Sequence, residues 1–458
     1  MDKQERQAQL VASVIAGLAS FLAPFMGASV NIALPSIGRE FRADAITLGW
    51  VATSYILAAA VFLVPFGRLA DLYGRKKIFL SGVSLYTLAS LLCALSSSVA
   101  GLIGFRILQG VGAALIFGTG VAILTSVFPP GERGKALGIN TAATYLGLSL
   151  GPVLGGWLTQ NLGWRSIFYV NLLLGLLIVV LVLSKLRREW AEAAGEKFDL
   201  PGALLYGVAL VGVILGFSRL PQSLGILLLL AGLALAAAFV FWEQRTAFPV
   251  LNIGLFRGNR VFAFSNLAAL INYSATFSTG FFLSLYLQYL KGMSPQAAGL
   301  ILIAQPAVMA VFSPLAGRAS DRVEPRYVAS IGMAFSGVGL FLLGFLRADT
   351  SLGFIVSSLA VLGFGFALFS SPNTNAVMCS VERKCYGVAA ATLGTMRLVG
   401  QMFSMGMAMM IFAVFIGRVE VTPANQASFL QAIKTGFVVF AALCLAGVLP
   451  SLARGNRK

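Results

Sequence analysis

Residues Gly67-Arg68-Leu69-Ala70-Asp71-Leu72-Tyr73-Gly74-Arg75-Lys76-Lys77 form a short charged connector between two long apolar runs. Two glycines permit tight turns, one carboxylate sits among four cations, and nothing in the stretch is needed as a nucleophile or metal ligand. Eleven such residues could be a basic surface turn. Their surroundings decide otherwise.

Of the 458 residues, 58% are hydrophobic and only 11% charged, more apolar surface than a soluble chain of this length can bury. A polytopic helical membrane protein needs this composition, because lipid is its solvent. The 50 glycines suit helices that pack closely in lipid. A net charge of +17 would suggest nucleic acid in a soluble protein. Here the cations sit in short loops between apolar runs, where positive-inside topology accounts for them and no nucleic-acid partner is expected. The run beginning near Gln9 is too long for a signal-peptide core and is read as a retained first span. Four cysteines without a histidine exclude the usual zinc spacings, and no metal or cofactor is expected. Cys93 and Cys444 lie in apolar runs while Cys379 and Cys385 flank a polar loop, so no structural disulfide is expected in a cytosolic setting.

Apolar runs predict fourteen spans, at about 10–36, 46–66, 78–98, 101–127, 136–159, 166–184, 202–218, 224–242, 262–289, 297–316, 327–346, 351–372, 387–416 and 428–452. A count of twelve would require 202–218 and 224–242 not to span. An even count puts both termini on one side. With the termini inside, Lys and Arg number 23 in the inner segments and 7 in the outer ones, which predicts cytoplasmic termini.

The chain also repeats itself. Shifted by 250 residues, Gly67, Arg68 and Asp71 fall on Gly317, Arg318 and Asp321, and Lys76 falls on Arg326. The echo is degenerate, with no counterpart of Gly74 and with Pro325 at the position of Arg75. Both loops follow the second span of a six-span block. Two related blocks in one orientation imply a pseudo-two-fold axis along the membrane normal and a site between them near the midplane. The expected division is 1–188 for the first six-helix bundle, 189–245 for a polar linker and a central two-helix hairpin, and 246–458 for the second bundle.

Several polar residues inside the spans stand out. Arg106 lies in the fourth span with Gln109 one turn on, and an arginine there costs about 2.5–3.5 kcal/mol on insertion scales, so it should face a cavity or a partner. Snorkelling to the nearby outer boundary is the alternative. Asn31 of the first span lies at similar depth and is a candidate hydrogen-bond partner. Arg397, ten residues into the thirteenth span with Gln401 on the same face, is a functional-site candidate or else a tie to backbone carbonyls. Asn272, Tyr273 and Gln305 add polar groups at comparable depths. Gly147, Gly151 and Gly155 form one helical stripe, with Pro152 and Gly156 beside it, suited to close packing and a bend.

The 67–77 stretch resembles the loop between the second and third helices of the major facilitator superfamily, with Gly67, Asp71, Gly74 and Arg75 all in place. The segment around Arg106 resembles that superfamily's fourth-helix motif, which ties this arginine to coupling. Gly151-Pro152-Val-Leu-Gly155-Gly156 resembles its antiporter motif, and Trp164-Arg165-Ser-Ile-Phe-Tyr-Val-Asn171 looks like a segment common in fourteen-helix drug:proton antiporters. The central hairpin and the stretch from Asn252 to Arg260 agree with that family, and the resemblance covers nearly the whole chain. It implies the major facilitator fold, a plasma-membrane location, a monomer, alternating access, and efflux of small amphiphilic molecules or drugs by proton antiport.

One departure matters. The family's first span usually carries an aspartate where this chain has Met26. All sixteen acidic residues fall in loops or at span ends, and there is no histidine. The spans therefore lack a conventional proton carrier, which weakens proton coupling and favours a neutral or anionic cargo contacted by Arg397 and Arg106. The alternative function is transport of an organic anion or metabolite, in or out, without conventional proton coupling. A channel is disfavoured by the absence of a filter-like segment. An enzyme is disfavoured because no histidine or buried acid is available for catalysis. On the cytoplasmic side, the basic residues anchor topology, while Asp71 can pair with a helix N-terminus or with a cation on the facing block, as a latch between states.

Overall fold

The computed structural model describes residues 3–128, 133–186, 189–191, 197–246, 249–251, 253–382, 386–417 and 419–455. Asn252, Cys385 and linker residues 192–196 lie outside these, as does the side chain of Asp321. The described regular structure is entirely helical.

The first six helices are α1 (Lys3–Phe41), α2 (Ala45–Tyr73), α3 (Arg75–Ala94), α4 (Val99–Val127), α5 (Arg133–Leu162) and α6 (Arg165–Lys185). A hairpin follows, α7 (Leu200–Arg219) and α8 (Ser223–Glu243), then a short α9 (Gly254–Gly258). The remainder is α10 (Arg260–Thr276), α11 (Thr279–Leu285) with a π turn at Tyr286–Leu290, α12 (Pro295–Leu302), α13 (Ala304–Arg322), α14 (Pro325–Leu343), α15 (Leu352–Cys379), α16 (Tyr386–Phe415), α17 (Gln426–Ala446) and α18 (Val448–Ala453).

Polar residues at the ends satisfy backbone donors that lipid could not. Asp44 accepts the N–H groups of Ile46 and Thr47 at 2.8 and 2.9 Å, and Ser98 accepts that of Gly101. Ser294, followed by Pro295 in the first turn, caps α12. Leucines such as Leu173, Leu183, Leu227 and Leu230 remain exposed on α6 and α8, which is where acyl chains replace water as solvent.

Among the described residues, twelve helical segments are long and apolar enough to cross a membrane, against the fourteen predicted. The hairpin helices, whose removal would have given twelve, are both among them. The two predicted spans that fall short do so for different reasons. The predicted 136–159 lies inside α5, where glycines and polar residues dilute the apolar character. The predicted 262–289 is broken between Thr276 and Thr279. The break is patched from α16, where Ser404 Oγ accepts the Ser278 N–H at 3.0 Å and donates to Ser278 Oγ at 2.9 Å. The predicted 297–316 is also interrupted, at Ile303, just before Gln305 and Pro306.

Packing repeats along the chain. Helix α1 packs on α5, α2 on α4, and α3 on both α4 and α6. Later, α10 packs on α16, α13 on α15, and α14 on both α15 and α17. Between the two sets, α2 meets α16, α5 meets α12, and α1 meets α11. Helix α7 touches both sets, through α2 and α16, and carries α8 on its other side.

Candidate transport site and gates

The 67–77 loop is built from α2, α3 and the linker. Asp71, in the last turn of α2, receives Arg75 through Nη2 at 2.8 Å and Nε at 3.0 Å. Arg75 Nη1 also donates to Ser126 Oγ of α4 at 2.7 Å. The first N–H groups of α3 point at the linker, where Trp190 O accepts from Arg75 N at 2.8 Å and Glu189 Oε1 from Lys76 N at 2.8 Å. A carboxylate at a helix N-terminus is favoured by the helix dipole as well as by the hydrogen bond. Gly74 makes room for it: its φ is +114°, and a β-carbon there would stand 2.7 Å from the Glu189 carboxyl carbon. Gly67 lies against Gly118 of α4. Asp71 thus pairs within its own block rather than with the facing one, and the linker contact at Glu189 was not foreseen.

The echo is organised differently. Gly317, Arg318 and Asp321 lie inside α13, and Arg326 pairs with its neighbour Glu324 at 2.6 Å and donates to Tyr327 OH. With Pro325 opening α14, the copy lacks the glycine turn that lets a linker carboxylate approach.

The glycine stripe works on two sides of α5. β-Carbons at Gly147, Gly151 and Gly155 would collide with Phe21 O, Ala28 Cβ and Ser29 Cβ of α1, and Ser29 Oγ donates to Gly151 O at 2.9 Å. Gly156 instead faces α12 across the block boundary, and the carbonyl of Pro152 lies against Gly299. Other inter-block hydrogen bonds gather at this same end, opposite the 67–77 loop. Ser284 Oγ donates to Asn31 O at 2.6 Å, Gln288 Nε2 to Ile32 O at 2.9 Å, and Gln296 N to Gln160 Oε1 at 3.3 Å. At the C-terminal end of α1, Glu40 binds Arg165 at 2.7 Å and accepts the Trp164 indole N–H at 2.7 Å, tying α6 to α1. Asn171 is buried and accepts from Tyr86 OH.

Arg106 is 1% exposed and neither snorkels nor meets Asn31. Its Nε donates to Val51 O at 3.1 Å and its Nη1 to Gln109 Oε1 at 2.6 Å, while the guanidinium lies 4.3 Å from the Tyr55 ring centroid. Gln109 passes the chain to Ser90 Oγ at 2.8 Å. All these groups belong to α2, α3 and α4. Asn31 faces Gly280 of α11 instead.

Arg397 is half-buried on α16. Its Nη2 donates to Thr374 Oγ1 of α15 at 2.6 Å, its guanidinium lies 5.7 Å from the Tyr273 ring of α10, and its Nε has no hydrogen-bond partner. Gln401 is half-buried one turn further on. Asn272 turns away, toward Cys444 Sγ of α17, and the Gln305 backbone packs against Gly363 of α15. The structure therefore joins Arg397 with Tyr273 and Thr374 but not with Asn272, Gln305 or Arg106.

Arg454, near the C-terminal end of the described chain, is 1% exposed. It donates to Asn373 Oδ1 at 3.0 Å, Ser265 Oγ at 3.3 Å and Ser451 O at 2.7 Å. Burial brings its guanidinium down to about 10. No sequence pattern marks it as buried.

Comparisons with known proteins agree with this architecture. The family model described as Major Facilitator Superfamily matches residues 16–256 and 265–457. The chain is 30% identical over 441 residues to the riboflavin transporter RibZ of Clostridioides difficile, covering 95% of each chain. It is 34% identical over 398 residues to the multidrug resistance protein Stp of Mycobacterium tuberculosis, covering 86% of this chain and 74% of the relative. It is 33% identical over 460 residues to the cephamycin export protein CmcT of Amycolatopsis lactamdurans, covering 97% and 93%. Among solved structures it resembles a bacterial homologue of the human lysosomal transporter Spinster in an inward-facing, unoccupied conformation, with a TM-score of 0.71 at 16% identity over 99% and 97% of the two chains.

Proposed function

The chain belongs to the major facilitator superfamily, so it is a membrane transporter and not an enzyme, and we propose that it exports small amphiphilic organic molecules by alternating access. The observation that supports this reading is where the two helix sets are tied: among the described residues, the hydrogen bonds between them lie at the end opposite the 67–77 loop, as in a transporter sealed at one mouth.

In this reading all fourteen predicted spans cross the plasma membrane, with α5 and the broken α10–α11 segment completing the set. The bundles are 1–188 and 246–458, with 189–245 as linker and hairpin, a division supported by the repeated packing of α1–α6 in α10–α17. Both termini are cytoplasmic, the conformation is inward-facing, and the protein works as a monomer. Gly67, Asp71, Arg75 and Gly74, with the echo from Gly317 to Arg326, serve the cytoplasmic gate.

Cargo is neutral or anionic and is met by Arg397, whose Nε is unpartnered while Tyr273 offers an aromatic face beside it. Gln401 lies on the same helix face, and Arg106 acts on the cycle by holding α2, α3 and α4 in register. Transport in proteoliposomes of organic anions, neutral heteroaromatics and lipophilic cations tests this. Saturable transport of the first two supports it, and preference for the cations sinks it. A second reading, movement of a metabolite without proton coupling, is favoured by spans that hold no acid. It wins if an imposed pH gradient drives no transport.

A further inference from the structure

The acids missing from the spans reappear at the loop-proximal end of the hairpin. Asp199 caps α7, and Glu243 is the last residue of α8, one position beyond the apolar run 224–242. They are 8% and 4% exposed. Both converge on Gly202, where a β-carbon would collide with Asp199 Oδ2 and stand 2.7 Å from Glu243 Oε1. Asp199 already accepts the Gly202 N–H at 3.0 Å and the Trp242 indole N–H at 3.0 and 3.1 Å. Glu243 Oε2 accepts the Leu251 N–H at 3.0 Å. Glu243 Oε1, aimed at the same spot as Asp199, has no hydrogen-bond partner.

Two buried carboxylates side by side, without a counter-ion, favour keeping a proton. Among the described residues neither acid makes an ion pair. Nearby cations look elsewhere: Arg245 lies over the Phe241 ring, Arg257 donates to Gln244, and Lys197 is exposed. From α7 the facing charge is Asp199. The segment after α8 contributes the backbone N–H groups of Val250 and Leu251. Leu251 itself belongs to a buried apolar cluster with Val64, Tyr206 and Phe239, and Tyr206 OH donates to Ala60 O of α2.

We infer that Asp199 and Glu243 form a proton-binding site, in which a proton on Glu243 Oε1 is donated to Asp199 Oδ2 and fastens the start of α7 to the end of α8, where Glu243 also holds the Leu251 N–H. Loss of that proton leaves two adjacent negative charges and loosens the joint between Gly202 and Leu251. The site stands apart from the cargo reading, and its test needs no transport.

The sign of the pH effect follows from the shared proton. A proton held by two adjacent buried carboxylates stabilises the folded state while it is bound, and that contribution is lost as rising pH removes it. Full-length protein in detergent or nanodiscs should therefore melt at lower temperature at about pH 8 than at about pH 5. Glu243→Gln, which keeps a donor on the bridge, should flatten that dependence and melt higher than the unmodified protein at about pH 8. An unchanged slope in Glu243→Gln would overturn the inference. Infrared titration of the unmodified protein provides a check that does not depend on the variant folding. A protonated-carboxyl band persisting above about pH 6, and moving to lower pH in Asp199→Asn, is the expected result. Absence of that band overturns the inference, and so does stabilisation at about pH 8 by sodium but not by choline chloride, which would make this a metal-cation site.

Discussion

Gly156 of α5 and Pro295 at the start of α12 approach so closely that a β-carbon on the glycine would stand 2.5 Å from the proline carbonyl oxygen. In the proposed alternating-access cycle this contact between α5 and α12 separates when that end opens. Gly156→Val overpacks it at a cost of about 1–3 kcal/mol, enough to shift a two-state equilibrium about 5–150-fold. Cysteine-labelling rates at Gln160 (as Gln160→Cys) should rise at that mouth, with melting temperature little changed. Unchanged labelling would mean the contact does not bear on opening.

Glu189 holds the first turn of α3 through the Lys76 N–H. Glu189→Ala should cost about 1 kcal/mol, the usual worth of a helix cap, and should expose the linker to limited proteolysis. Gly74→Ala should cost more, because it combines a β-carbon at φ +114° with collision against the same carboxylate. If Gly74→Ala proved the milder of the two in thermal melts, the proposed fit of glycine to linker would be wrong.

Arg106 and Arg397 should separate cleanly. Arg106→Ala strips partners from Val51 O and Gln109 inside a closed set of helices, so melting temperature and transport should fall together, with about 1–3 kcal/mol lost for each neutral group left unpaired. Arg397→Ala gives up one hydrogen bond at a half-buried site, so stability should change by about 1 kcal/mol while cargo affinity drops. Equilibrium binding and thermal melts on both variants distinguish these outcomes, and equal loss of stability in the two would contradict the assignment.

Arg454 ties α18 to α10 and α15 through Ser265, Asn373 and Ser451. Arg454→Ala leaves several of these buried groups unpaired and should lower stability by about 2 kcal/mol or more. Arg454→Lys should recover only part, because an ammonium cannot reproduce the spread of donors. Hydrogen exchange should localise the loosening to α10, α15 and α18. A uniform change across both blocks would contradict a local role.

Much of the candidate site was legible because it depends on spacing within one helix. Arg106 and Gln109 are three residues apart, so their pairing follows from helix geometry alone. Gly147, Gly151 and Gly155 likewise had to share a face, and they do. The partner of Arg106 was misjudged for the complementary reason. Depth in the membrane can be counted along a span, whereas rotation about the helix axis cannot, and Asn31 proved to face α11. Glu189 and Glu243 escaped notice because each looks like an ordinary loop acid until packing buries it or aims it.

Sequence by itself determined the membrane class, most span positions, the repeat between Gly67 and Gly317, and the loss of acids from the spans. These are properties of composition and local periodicity, which lipid enforces residue by residue. Only the tertiary structure decided that α1 and α5 meet α11 and α12 near Asn31 and Gly156, that Asp71 pairs with Arg75, that the span after Arg260 is broken, and that Asp199 meets Glu243. Each of these depends on which faces of distant helices meet, and that is settled by the packing of the bundles as wholes rather than by any one stretch of chain.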